Sequence, residues 1–205
     1  MAETRQRILV ATNELFRRRG FNGTSLKQVT VAAGAPIGSL YHFFPGGKDE
    51  LAEAVITTSG AAYLQLFEMI ADAAADIGTA VTDFFEGAAV VLEATDYIDV
   101  CPIGTVAREV AGTNDALRRA TDLVFTSWIA TGASRFVAAG LPPLDATALA
   151  TTVVAALEGG FILARARRDP EPLRATGRHI RALVDGALAA ARSDQPARGT
   201  STSTV

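Results

Sequence analysis

With 205 residues, 49% of them apolar, the chain can bury one sizeable core or carry a small domain on a larger one. One cysteine and two histidines, His42 and His179, exclude an internal disulfide framework and give no metal-ligand spacing, so neither a metal nor any other cofactor is implied. The formal net charge of −3 hides an asymmetry: residues 1–48 hold seven bases against two acids, and 49–205 hold 12 bases against 20 acids, so a basic head sits on an acidic body.

The start, "MAETRQRILV", places charge where a signal peptide needs an apolar core, and no uninterrupted apolar run reaches the roughly 18 residues of a spanning helix. A cytoplasmic protein without a membrane partner is expected. The stretch "RQRILVATNELFRRRGF" puts Ile8, Ala11, Leu15 and Phe16 on one stripe, closes with three arginines and stops at Gly20; it predicts a first helix. "TSLKQVTVAAG" predicts a short second helix, with Ser25 and Gln28 at capping-box spacing, Leu26 and Val29 facing inward and Gly34 at the end. After a tight turn, Pro36 opens a third helix at the position where a missing N–H costs nothing.

At 100° per residue the third helix groups Pro36, Leu40, Phe43 and Phe44 on its inner side. Gly38, Ser39 and His42 lie opposite, with Ile37 and Tyr41 at the flanks. Two short helices joined by a glycine turn, the second with a neutral polar outer face, predict a helix-turn-helix whose second helix enters a major groove. Phosphate attraction then comes from the flanks: Lys27, Lys48 and the arginines of the first helix. That the chain's two lysines both fall in the head also fits an arginine-preferring coding bias. Lys48 opens the next helix beside two glycines, so its ammonium and free backbone N–H groups converge on one anion site. Tyr41 either offers its hydroxyl to a phosphate or packs on Phe21, and Gly38 allows close approach either of DNA or of the second helix.

From residue 49 the punctuation at Gly78, Pro102, Gly112, Gly140 to Pro143 and Pro170 predicts helices near 49–76, 79–95, 102–111, 114–139, 145–168 and 171–192. The fold class is all-α: a three-helix head over 1–48, a larger helical domain over 49–192 and a disordered tail over 193–205. Tyr63, Phe67, Phe84, Phe85, Phe125, Trp128 and Phe161 fall on different helices around one interior, with Cys101 and Arg108 on the short intervening helix; each alone reads as packing, and together they suit a small-molecule pocket. Arg108 has Glu109, Asp99, an anionic ligand or water as candidate partners. The last two long helices carry more apolar surface than one chain has to cover, with Leu157, Gly160, Ile180, Val184 and Leu188 as candidate dimer contacts, though an ordinary monomer core gives the same periodicity. No glycine-rich phosphate loop, H-E-x-x-H or G-x-S-x-G occurs, and Cys101 has no neighbouring histidine, so no catalytic residue is assigned.

Segment 5–54, with its "AAG" turn, "GSLYHFF" and following lysine, resembles the DNA-binding domain of the TetR family of bacterial transcriptional repressors. The Ala-Pro opening at 35–36, the double glycine of "FPGGK", "CPIGTVAREV" at 101–110 and "ALEGGFILARARRDPEPL" at 156–173 resemble the LmrA/YxaF-type branch. Pro36 and Ile37 stand where the family often has serine and a basic residue. The resemblance implies that Thr24, Ser25, Tyr41 and Lys48 hold phosphates and that Gly38, Ser39 and His42 lie nearest the bases. It further implies a homodimer on a palindromic duplex operator, released by a small apolar or aromatic inducer bound in the body; for this branch, planar flavonoid-like compounds are the first to try. A constitutive dimeric regulator and an all-helical carrier are the competing readings. Salt-dependent duplex binding and its response to an effector separate the three.

Overall fold

The computed structural model describes residues 2–193. Among them the chain forms nine α-helices and no strand: α1 (Ala2–Arg19), α2 (Leu26–Ala33), α3 (Ile37–Phe43), α4 (Lys48–Ala73), α5 (Ile77–Ala94), α6 (Pro102–Val110), α7 (Asp115–Ala138), α8 (Pro143–Arg167) and α9 (Glu171–Ser193). The class is all-α, as expected. Apart from Ser193, which ends α9, the expected tail lies outside the described residues.

Local chemistry sets the boundaries. Ser25 and Gln28 close a full capping box on α2, and Gly34 ends it in the left-handed conformation (φ 57°) that glycine adopts without a Cβ penalty. Pro36 is the N-cap of α3 and not its first helical residue, one position earlier than the pattern suggested; its extended backbone (ψ 148°) redirects the chain before the helix starts. Gly78 does not break the chain either. Asp76 caps α5 by accepting the Thr79 N–H at 2.7 Å, so the helix begins ahead of that glycine.

The apolar core does not divide at residue 48. Ile8, Phe16, Val29, Leu40 and Phe44 of the head share one cluster with Leu51, Val55 and Ile56 of α4, Ile103, Val106 and Val110 of α6, and Leu117 of α7. A second cluster joins Val81, Phe85 and Leu92 of α5 to Phe136, Leu157, Leu173, Ile180 and Val184 of α7, α8 and α9. Each fully buried Leu or Phe of the head contributes roughly 1.5–3 kcal/mol by transfer from water. One helix of 18 residues and two of eight and seven offer few such residues, so the head is braced against α4 and α6. On average α4 and α8 are long and apolar enough to span a membrane, although neither holds an uninterrupted apolar run of that length. In this fold α4 packs on α1, α5, α6 and α7, and α8 on α7 and α9.

Candidate nucleic-acid interface and candidate ligand cavity

Helix α3 turns Leu40 and Phe44 fully inward and leaves Pro36, Ile37, Gly38, Tyr41 and His42 exposed, with Ser39 half-buried. A Cβ built on Gly38 meets nothing within 4 Å. The second helix is therefore not what needs glycine there. His42 rests its ring edge-on against Phe43 at 5.0 Å and otherwise faces out. Tyr41 is 50% exposed and packs beside Gly47, not on Phe21. Phe21 is covered instead by Phe16, edge-on at 5.8 Å, and by the Lys48 ammonium 4.2 Å above its ring.

That contact fixes Lys48 at the first residue of α4. Burial lowers its pKa, against the opposing attraction of Glu109 and Asp49. The two acids of the first turn are tied elsewhere: Glu50 accepts the Gly46 N–H at 2.7 Å, and Asp49 accepts from Asn114 Nδ2 at 3.0 Å. Lys48 and the N-terminal N–H groups of α4 thus form a cationic corner beside the exposed face of α3. Ser25 and Lys27 are exposed nearby on α2.

Two phosphate assignments are corrected. Thr24 is buried and its hydroxyl donates to the Gly20 carbonyl at 2.7 Å, so it holds the head's first turn together and offers no surface donor. Arg17 turns into the body, its Nη2 3.0 Å from Asp99 Oδ2, whereas Arg18 stays exposed, paired with Glu14 at 3.1 Å and with its Nε 3.7 Å from Asp99 Oδ1. Nothing in the sequence spacing links Asp99 to residues more than 80 positions earlier.

Between α4, α5, α7 and α8 lies a cavity of about 310 Å³. Tyr63, Phe67, Phe84, Cys101, Trp128 and Phe161 line it together with Leu66, Ile70, Val81, Val91 and Val153, which the sequence does not set apart from ordinary apolar positions. Phe67 meets Phe84 edge-on at 5.5 Å and Tyr63 meets Trp128 at 6.2 Å. Trp128 donates its indole N–H to the Gly60 carbonyl at 2.9 Å, which leaves an apolar ring for the wall. Polar side chains gather at one end: Arg17, Tyr63, Asp99 and Cys101. Burial pushes the Tyr63 phenol up, partly offset by the Arg17 charge.

Three expected lining residues lie elsewhere. Phe85 is fully buried in the second core, against Gly177 of α9. Phe125 stands behind Trp128, edge-on at 5.6 Å. Arg108 is exposed and borders a neighbouring hollow of about 380 Å³ with Thr105, Glu158 and Arg165. Its candidate partners are taken, Asp99 by Arg17 and Arg18, and Glu109 by the Asn22 N–H at 2.7 Å.

Glu158 sits over Gly104, where a Cβ would lie 2.0 Å from its carboxylate, and its Oε1 is buried without a hydrogen-bond partner. Burial raises its pKa above the ordinary 4.5, opposed by the Cys101 thiol and the Arg108 charge. The Cys101 thiol is itself pushed well up, by burial first and then by Glu158, so it remains a protonated donor. An acid whose folded pKa is raised binds more protons folded than unfolded, so stability falls as pH rises from its unfolded pKa through its folded one. Glu158→Gln should flatten that slope and leave the protein more stable than wild type at neutral pH, read as urea midpoints from about pH 4 to about pH 8.

The candidate dimer contacts also need correction. Leu157 lines the cavity, Gly160 faces Leu173 with room for no Cβ (2.8 Å to its Cδ2), and Ile180 and Val184 are buried in the second core; Leu188 is half-buried against it. The outward stripe of α8 is one residue away: Leu144, Ala148, Thr151, Ala155, Gly159, Ile162 and Ala166, none charged. Thr151 donates its hydroxyl to the Thr147 carbonyl at 2.8 Å, so it presents a methyl outward. On α9, Leu183 and Gly186 are exposed as well.

Residues 8–55 match the model for bacterial regulatory proteins of the tetR family, and residues 77–179 match that for the C-terminal domain of LmrA/YxaF-like transcriptional regulators. The chain is 34% identical over 182 residues to the HTH-type transcriptional regulator YxaF of Bacillus subtilis, covering 89% of this chain and 95% of that protein. It is 32% identical over 178 residues to the HTH-type transcriptional regulator LmrA of the same organism, covering 83% and 91%. Its fold is similar to that of the regulatory protein TetR from Rhodobacter sphaeroides, with a TM-score of 0.77 at 22% identity over 86% of this chain and 96% of that one. A TetR transcriptional regulator from Chloroflexus aurantiacus gives 0.75 at 25% identity over 90% and 95%.

Proposed function

Because the chain belongs to the TetR family of bacterial transcriptional regulators, with a C-terminal domain of the LmrA/YxaF-like type, we propose that it is a dimeric repressor released from a palindromic operator by a small apolar ligand. The observation that carries this reading is a single lever: α4 begins at Lys48 beside the exposed face of α3 and runs on to Tyr63 and Phe67 in the cavity wall. A ligand that reshapes the wall shifts the helix that sets the head. Its uncharged stripe on α8 supports pairing about a two-fold axis, because such a face gains by being removed from water. Two heads then meet successive major grooves about 34 Å apart or a multiple of it. A ligand that binds better to the other head spacing moves the population off the operator.

In this reading Lys48, Ser25, Lys27 and Tyr41 hold phosphates while Gly38, Ser39 and His42 face the bases. The test starts from a duplex selected by the wild-type chain out of random DNA. Lys48→Ala should weaken this duplex and random DNA alike and reduce the salt slope by about one unit, whereas Ser39→Ala should act mainly on the selected sequence. Equal loss of preference in both variants would show that the roles are wrongly divided, and salt-independent binding would remove the DNA reading.

A further inference from the structure

One ion pair joins the end of the cavity to the head. Arg17 belongs to α1, Asp99 to the segment between α5 and α6, and both line the cavity where its polar side chains gather. Asp99 is 8% exposed and takes both Arg17 and Arg18. The pairing is incomplete: Arg17 Nε and Asp99 Oδ1 are each buried without a hydrogen-bond partner. Arg17 Nε has no acceptor and Asp99 Oδ1 has only the Arg18 charge at 3.7 Å, beyond hydrogen-bond reach, so a group that hydrogen-bonds both improves on the present pairing.

The surrounding backbone can follow a shift of this pair. Asp96 and Tyr97, just before Asp99, are non-glycine residues in the left-handed region (φ 54° and 60°), a conformation that tertiary contacts must hold in place. Helix α6 follows at once, and near its far end Glu109 accepts the Asn22 N–H at the turn after α1. The head is therefore gripped at both ends of α6, and the grip nearer the cavity is Arg17–Asp99.

The two orphan atoms also specify a partner. One is an N–H donor and the other a carboxylate acceptor, and both are buried, so a ligand group reaches them only by displacing the side chains that cover them. A neutral hydroxyl satisfies both, accepting from Arg17 Nε and donating to Asp99 Oδ1. A carboxylate would meet Asp99 and a cation would meet Arg17. The rest of the chamber is walled by aromatic and aliphatic groups and asks for an apolar body.

We propose that Arg17–Asp99 is the latch by which the cavity controls the head, opened by an apolar molecule carrying one neutral hydroxyl at its leading end. The proposal rests on the ligand-responsive reading given above and adds the residues and the polar group through which it works. It is tested with 2-naphthol and naphthalene, which share an apolar body and differ by the hydroxyl. Uptake by the full chain is measured by equilibrium dialysis, and affinity is measured for the selected duplex. At equal occupancy 2-naphthol should weaken DNA binding about tenfold or more and naphthalene less than about twofold. Asp99→Asn, with the latch already open, should bind the duplex about tenfold more weakly than wild type and respond less than about twofold to 2-naphthol. Arg17→Gln serves as the second variant, and the wild-type comparison of the two compounds stands without either.

Equal effects of the two compounds on wild type, or an undiminished naphthol response in both variants, would overturn the latch and leave the ligand-responsive reading in place. Failure of the cavity to take up either compound, or uptake of both with no change in DNA affinity, would overturn that reading and the latch with it.

Discussion

Ala155→Arg on the outer face of α8 is expected to leave helix content unchanged, halve the mass seen in sedimentation and lower affinity for the selected duplex by about 10²–10⁴-fold. Ala155 is exposed at the centre of a stripe that runs from Leu144, 86% exposed, to Ala166 without a charged residue. In a two-fold interface the same patch meets itself, so one substitution installs two guanidinium groups against an apolar surface and near one another. Nothing within the subunit opposes the new side chain, which is why the monomer should fold. The loss at DNA follows from valency. Two linked heads make the second half-site contact intramolecular, and separate heads lose that advantage with every protein–DNA contact still intact. A variant that stays dimeric would place the interface on another surface. A wild-type chain that sediments as a monomer while binding the duplex would remove the dimer from the proposal.

The choice between neighbouring faces marks where sequence reasoning ended. Helix existence was legible nearly everywhere, because capping residues and glycine stops act locally: Ser25 with Gln28, and Gly34, while Gly112 marked the break before α7. The inward side of α3 was legible at Leu40 and Phe44, which are buried, but not at Pro36, which was placed inward and stands exposed because it caps the helix from outside with an extended backbone. On α8 and α9 the same periodicity gave Gly160 and Val184 as partner contacts, and these face into the subunit, while Gly159 and Leu183 beside them face out. Both faces of α8 are apolar and small. Periodicity reports that a face is apolar but not what covers it. The cavity was half legible for a related reason. Aromatics announced themselves, whereas Val91 or Val153 looks the same in a wall and in a core. Arg17–Asp99 was not legible at all, because a contact across 82 positions exists only after α4, α6 and the head have packed.

Gly38→Ala should move stability and DNA affinity in opposite directions. Glycine disfavours a helix by up to about 1 kcal/mol relative to alanine, through the backbone freedom it loses on folding. In most helical glycines that cost is offset by a close neighbour, as Gly160 is by Leu173. Gly38 has no such neighbour: the new methyl meets nothing within 4 Å in the chain. The alanine variant should therefore melt about 2–4 °C higher. If α3 lies in the major groove with residue 38 against the bases, the same methyl occupies space the duplex needs, and affinity for the selected sequence should fall by about 10–100-fold, the scale of one good base contact. Random duplex, held by Lys48 and the flanks, should be affected much less. An alanine variant that is both more stable and equally tight would take Gly38 out of the interface and move the reading face toward Tyr41 and His42. A destabilised variant would mean that the exposed side of α3 is packed against something the free chain does not contain, such as a second head. The pair of measurements separates a glycine kept for DNA from a glycine of no consequence, which burial alone cannot do for a residue that touches nothing in its own chain.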